Sequence, residues 1–247
     1  GTRVNIVIPP VSPDGPVLTL RKFRRFQLTL EDVIRHGAIS EGLVEFLEAC
    51  VRSRLNILIA GGTASGKTTF TNMVLGMVPA DERIITVEKM LELKPPEHLK
   101  RVVRLESQAP VEGRDEVTLQ DLIVNSMRMR PDRIVADKVL GAEAFDLLQA
   151  MNTGLEGTIF RIHATGPMDA LSRLEMMATF ANPSMPLLMI RQMMASAIDL
   201  IVYLERLLDG SRKVMKVSEV VGMQGDIIVV QDIFEFRQTG VDEDGRT

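Results

Sequence analysis

Residues 55–72 read LNILIAGGTASGKTTFTN, and this stretch decides the fold. It opens on an apolar, β-rich run, Leu55, Ile57, Leu58 and Ile59, that predicts a buried strand. The run passes at once into the turn Gly61-Gly62-Thr63-Ala64-Ser65-Gly66-Lys67-Thr68-Thr69, which fits the G-x-x-x-x-G-K-[ST] pattern in full. Gly61 and Gly66 let successive backbone N–H groups point inward, a nest for phosphate oxygens that a Cβ would obstruct. Lys67 offers a point charge to β- and γ-phosphates, and Thr68 offers a hydroxyl to Mg²⁺. The helix expected over 68–77 turns its positive end to the same anion. Strand before and helix after are the context this motif needs, so residues 61–69 imply a nucleoside triphosphate site.

Downstream, strand-like and helical runs alternate. RIITVE (83–88), RVVRL (101–105), RIVAD (133–137) and the stretch 158–162 ending at His163 predict strands. A capped helix begins at Thr118-Leu119-Gln120-Asp121, and another runs over 142–153 to Gly154. Two methionine-rich helices follow, over 167–181 and 186–198, whose methionines serve either an adaptable core or a partner surface. The last stretches, 200–204, 213–221 and 226–236, predict an antiparallel meander. Such alternation predicts an α/β fold with a largely parallel sheet, its ligand at the carboxyl ends of the strands, and antiparallel strands at the C-terminus.

Upstream, Thr29-Leu30-Glu31-Asp32 has capping-box spacing, and Ser40 can cap a helix running to Ser53. Residues 29–54 read as linker helices leading into a main domain over 55–247. Residues 1–28 hold two short β-rich runs around a Pro/Asp/Gly turn, too few strands for a core, and are expected to be the end of a separate, truncated N-terminal domain. The basic group Arg21, Lys22, Arg24 and Arg25 is either a solvated face or a phosphate contact.

With 247 residues, 45% of them hydrophobic, the chain has ample material for a core. A net charge of −4 argues against general affinity for nucleic acid, and no nucleic-acid partner is expected. One cysteine, Cys50, excludes an internal disulfide and is read as a buried core residue beside Leu43, Phe46 and Leu47. No apolar run of membrane-spanning length is present, so a cytoplasmic location is expected, with any membrane association made through partners.

Several stretches together resemble the secretion ATPase superfamily of type II and type IV secretion and pilus assembly, and most closely its CpaF-like branch, the ATPases of Tad/Flp pili. They include VNIVIPPVSPDGPVLTLRKF, ACVRSRLNILIAGGTASGKTT, RIITVE, RVVRLES, MRMRPDRIV, GAEAFDLLQAMNTG, HAT followed by ALSRLEMM, and EVVGMQGDIIVVQDIFEFRQTGVDEDGR. They cover nearly the whole chain in the family's order. The resemblance implies a RecA-like P-loop NTPase domain preceded by the end of an N-terminal domain, with ATP and Mg²⁺ as cofactors. It further implies a hexameric ring working at the inner face of the membrane with the platform proteins of a pilus or secretion machine. Glu88 and His163 match catalytic positions, Thr68 and Glu88 the metal side, and Arg21 a basic position after the last N-terminal strand. Arg104 and Arg130 lie in arginine-bearing motifs that neighbouring subunits contribute in trans, although solvated or structural roles stay open for both.

The departures bear on activity. Lys89 follows Glu88 where the family has Asp, and the Walker B segment, usually Gly-Glu-Val-Arg-Gly, reads Asp137-Lys138-Val139-Leu140-Gly141. Thr165 replaces the usual Asn after His163-Ala164, and Arg161 stands where a small hydroxyl residue is common. Hydrolysis needs a carboxylate to orient water, and Lys138 has no acceptor to offer. Glu88 is then the main surviving carboxylate. Two readings follow: a motor that hydrolyses ATP with weakened catalysis, or an ATP-binding, poorly hydrolysing paralogue acting as a structural or regulatory ring subunit.

Overall fold

The computed structural model describes residues 2–22, 29–238 and 240, and the backbone alone of Arg3 and Arg21. β1 (Thr2–Val7) and β2 (Val17–Lys22) form a two-stranded antiparallel sheet whose apolar residues, Val4, Ile6, Leu18 and Leu20 among them, are exposed. Two helices follow, α1 (Leu30–Arg35) and α2 (Glu41–Arg52). Thr29 closes the anticipated capping box with Asp32, and Ser40 accepts from the Leu43 N–H.

The main sheet has eight strands: β3 (Ile57–Gly61), β4 (Ile84–Glu88), β5 (Val102–Glu106), β6 (Arg133–Ala136), β7 (Ile159–His163), β8 (Leu200–Arg206), β9 (Arg212–Gln224) and β10 (Ile227–Glu235). Their spatial order is β10-β9-β8-β3-β7-β6-β4-β5. The strands from β8 to β5 run parallel, and β9 and β10 add on antiparallel, so the meander extends the central sheet through β8. Five helices connect or cover them: α3 (Lys67–Leu75), α4 (Leu119–Met127), α5 (Glu143–Asn152), α6 (Pro167–Ala181) and α7 (Leu187–Ala197).

The period-2 alternation of the strands divides the core into two layers. Leu58 and Ala60 of β3, Ile85 and Val87 of β4, and Phe160 and Ile162 of β7 face α5, α6 and α7. Ile57, Ile59, Ile84, Val135 and Ile159 face the other way, against α2 and α3, where Leu47, Cys50, Val51, Phe70 and Val74 meet them. By that alternation Arg161 on β7 and Glu88 on β4 fall on the layer of α3, the helix that begins at the glycine-rich turn. Cys50 is buried as expected, and burial pushes its thiol pKa up. The methionines divide: Met177 and Met194 are core, while Met168, Met176 and Met189 are about half exposed.

The amino ends of the strands carry a buried ion pair. Arg133, fully buried, gives Nε to Glu82 at 2.9 Å and its other nitrogens to the carbonyls of Gly157 and Val51. Gly157 sits there at φ 73°, and a Cβ would lie 2.7 Å from the Arg133 guanidinium, so glycine is required on both counts. No helix among the described residues is long and apolar enough to cross a membrane.

Candidate functional site

The site lies where β3 hands the chain to α3. A Cβ on Gly61 would lie 2.4 Å from the Leu204 carbonyl oxygen, because β8 runs directly alongside. Gly66, at φ 96°, caps α3 with no side-chain acceptor, which leaves the first N–H groups of the helix directed at the loop. Lys67 folds back over the turn and donates to the carbonyls of Gly61 at 2.7 Å and Gly62 at 2.5 Å. Burial first, then the charges of Arg161 and Lys138, push the Lys67 ammonium down to a pKa of about 8. From β9, Arg212 donates Nε to the Ala64 carbonyl at 2.9 Å and closes the outer side of the loop. Thr63 and Thr69 lie within the same turn and first helical turn.

Beneath the loop the charged side chains form a connected set. Arg161 donates Nη1 to the Thr68 hydroxyl at 2.6 Å and Nη2 to Asp137, the guanidinium and the carboxylate both being almost wholly buried. Burial holds Arg161 down to about 10, against the opposing pull of Glu92 and Glu88, so it stays cationic at neutral pH. Glu92 lies with one carboxylate oxygen 3.5 Å from the Thr68 hydroxyl and the other 3.3 Å from the Lys138 ammonium. β6 ends at Ala136, one residue earlier than its sequence suggests, and Lys138 stands in the left-handed region at φ 54°. That turn after the strand sends Lys138 to Glu92 while Asp137 stays beneath the sheet's end.

Glu88 is occupied elsewhere. One oxygen accepts the N–H groups of Glu92 and Leu93, each at 2.7 Å, and the other accepts the Thr86 hydroxyl at 3.1 Å. Fully buried, it ties down the turn that follows β4. Arg104 holds the far side of that turn through the Leu93 carbonyl at 2.9 Å. His163 ends β7 opposite Gly61 and is exposed. Arg130 lies at the opposite ends of the strands, in an open cleft of about 620 Å³ lined also by Arg83, Arg101 and Asp132. The side chain of Arg21 lies outside the described residues, as do Arg24 and Arg25.

The structure therefore gathers the loop, Glu88, Arg161, Asp137, Lys138 and Glu92, and leaves Arg130 outside. Glu92 escaped the sequence reading, because the capture of its backbone N–H by Glu88, four residues earlier, shows only in the folded chain. Arg212 is distant in sequence and had none.

A divalent cation on Thr68 fits poorly. The hydroxyl accepts from the Arg161 guanidinium, which fixes a positive charge beside any ion there, and both Glu88 oxygens accept hydrogen bonds from the chain. An ion of charge two about 4 Å from the guanidinium would be repelled by on the order of 8 kcal/mol at an effective dielectric constant of about 20.

Comparison with known proteins places this geometry. Residues 2–243 match the family model described as Type II/IV secretion system protein. The chain is 31% identical over 228 residues to the conjugal transfer protein TrbB of Rhizobium radiobacter, covering 91% of this chain and 65% of TrbB. It is 34% identical over 231 residues to the type IV secretion system protein PtlH homolog of Bordetella bronchiseptica, covering 83% and 68%. A relative named for conjugal transfer in Mycobacterium tuberculosis is 36% identical, and the chain spans 64% of its length. Among solved structures, the VirB11 ATPase of the Brucella suis type IV secretion system superposes with a TM-score of 0.66 at 26% identity, over 89% of this chain and 73% of that one. Its fold is thus a RecA-like ATPase fold, and the chain belongs to the type II/IV secretion system protein family.

Proposed function

We propose that this chain is the nucleotide-binding part of an ATP-driven motor subunit of a secretion, conjugation or pilus machine, and that it hydrolyses ATP slowly. One observation carries the reading. The intact loop, with Lys67 resting on the carbonyls of Gly61 and Gly62, faces a carboxylate, Glu92, that is itself paired with Lys138. On nucleotide binding Lys67 exchanges those carbonyls for β- and γ-phosphate oxygens. Glu92 is the group we assign to orienting water, since Glu88 gives one oxygen to the turn that follows it and the other to Thr86 of its own strand. The water oxygen bonds to the γ-phosphorus, the bond from that phosphorus to the β–γ bridging oxygen breaks with its electron pair staying on ADP, and the water's protons leave on the inorganic phosphate, one of them passed through Glu92. Lys138 occupies one of the two Glu92 oxygens, leaving that oxygen less available to the water, and this is the source we assign to slow turnover.

The second reading, an ATP-binding ring subunit that barely hydrolyses, draws on Arg161 holding the Thr68 hydroxyl. Further parts of the proposal are drawn from resemblance: the Tad/Flp branch, a hexameric ring, the trans roles of Arg104 and Arg130, a phosphate contact from Arg21, and residues 1–28 as the end of an N-terminal domain. Peripheral attachment inside the cell membrane through platform proteins belongs with them, as does His163 as a catalytic group.

Steady-state hydrolysis measured beside an ATP-binding titration on the same preparation tests the reading. Binding with turnover below about 0.1 per second, under the usual range for enzymes, is expected. Absence of ATP binding would remove the site, and turnover above about 1 per second would remove the slow-hydrolysis claim.

A further inference from the structure

Besides Arg212 on the Ala64 carbonyl, three cations gather around the loop. Lys67 spans its carbonyls, Arg161 holds the Thr68 hydroxyl from below, and Lys138 reaches Glu92 beside it. Each is fixed by the fold. The backbone of Arg161 is paired with Ile59 of β3, its carbonyl accepts the Val139 N–H at 2.9 Å, and its guanidinium is anchored on Asp137. Lys138 projects from a left-handed residue just past β6.

We infer that this site binds nucleoside triphosphate without a divalent cation, with Arg161 and Lys138 bringing to the β- and γ-phosphates the positive charge that a metal ion would supply. The inference rests on the nucleotide reading of the loop given above. Thr68, the hydroxyl a metal ion would take, is the acceptor of Arg161. The Arg161 Nε is buried without a hydrogen-bond partner, as is Asp137 Oδ2, so the guanidinium has donor capacity that the protein leaves unused. Lys138, 39% exposed on the rim, keeps its pairing with Glu92 and adds its positive charge to the phosphates from there. Crowding of like charge around Lys67 is relieved when a polyanion arrives, and a further divalent cation would restore it.

The test is calorimetric titration of the chain with ATP in excess Mg²⁺ and, separately, in excess EDTA. The affinities are expected to agree within about fivefold. Arg161→Thr should bind at least about tenfold more weakly in EDTA and recover most of that loss in Mg²⁺. Because Arg161→Thr leaves Asp137 unpaired in the interior, Lys138→Ala, at a rim position, is the companion variant, with a loss in EDTA of about tenfold and a smaller one in Mg²⁺. Wild-type binding that weakens more than about fivefold in EDTA overturns the inference and leaves the nucleotide site standing. No binding in either medium overturns the nucleotide reading, and the inference falls with it.

Discussion

The guanidinium of Arg161 donates to the hydroxyl of Thr68 across 2.6 Å, joining β7, the neighbour of β3 in the sheet, to the first turn of the P-loop helix. Removal of the Lys67 ammonium, which lies over the same loop, should therefore be felt mainly as lost affinity. Lys67→Ala is expected to weaken ATP binding by about 10- to 100-fold, the worth of a charge-assisted hydrogen bond. Titration with a labelled ATP analogue checks this, and equal binding by wild type and variant would exclude the loop as the site.

The affinity should also depend on pH, with a sign set by Lys67. Its pKa in the ligand-free fold is about 8, down from 10.5, and a bound phosphate raises it. Affinity should be full below pH 8 and fall as pH rises through it, by up to about tenfold per unit, as the ammonium becomes neutral. In the ligand-free protein the folded state binds fewer protons than the unfolded chain between about 8 and 10.5, so this group makes stability rise with pH across that window. A pH series of titrations with Lys67→Ala as control, which should be flat, measures the effect.

Two glutamates four residues apart should behave differently. Glu88→Gln keeps an oxygen for the N–H groups of Glu92 and Leu93 and an amide for Thr86, so turnover is expected to survive within about tenfold. Glu92→Gln should lower turnover by about 10²-fold or more while leaving the melting temperature nearly unchanged. Glu88→Ala strands three donors and is expected to cost about 2–4 kcal/mol of stability in a denaturant melt. The reverse order of the two Gln variants in turnover would return the catalytic role to Glu88.

Release of Glu92 from its cationic partner should speed hydrolysis. Lys138→Ala is expected to raise turnover by about tenfold while loosening ATP. Asp137 must be left in place, because it neutralises the buried Arg161. Single-turnover hydrolysis beside a binding titration separates the two effects, and unchanged turnover would remove Lys138 as the cause of slow catalysis.

At the opposite end of the sheet, Glu82→Ala should destabilise the fold by about 3–5 kcal/mol, since it leaves the fully buried Arg133 without its carboxylate. Urea unfolding measures this. ATP affinity of the folded protein should be unchanged, as the pair lies away from the P-loop.

The sequence alone determined the phosphate loop, the alternation of strands and helices, the antiparallel end of the chain and the capping boxes at Thr29 and Thr118. These are local features: a glycine pattern, a period of 2 or 3.6 and a hydrogen bond three residues long each lie within a short window. It also showed that Lys138 and Arg161 are cations in unusual places, without showing what they touch. Only the tertiary structure decided that β6 stops at Ala136, that Lys138 turns back to Glu92, that Glu88 is consumed by its own loop, and that Arg161 reaches Thr68 across 93 residues of chain. Those contacts depend on which strands lie side by side and on which face of the sheet each side chain falls. A shift of one residue at a strand's end reverses that face, and no local pattern in this chain records where the strand ends.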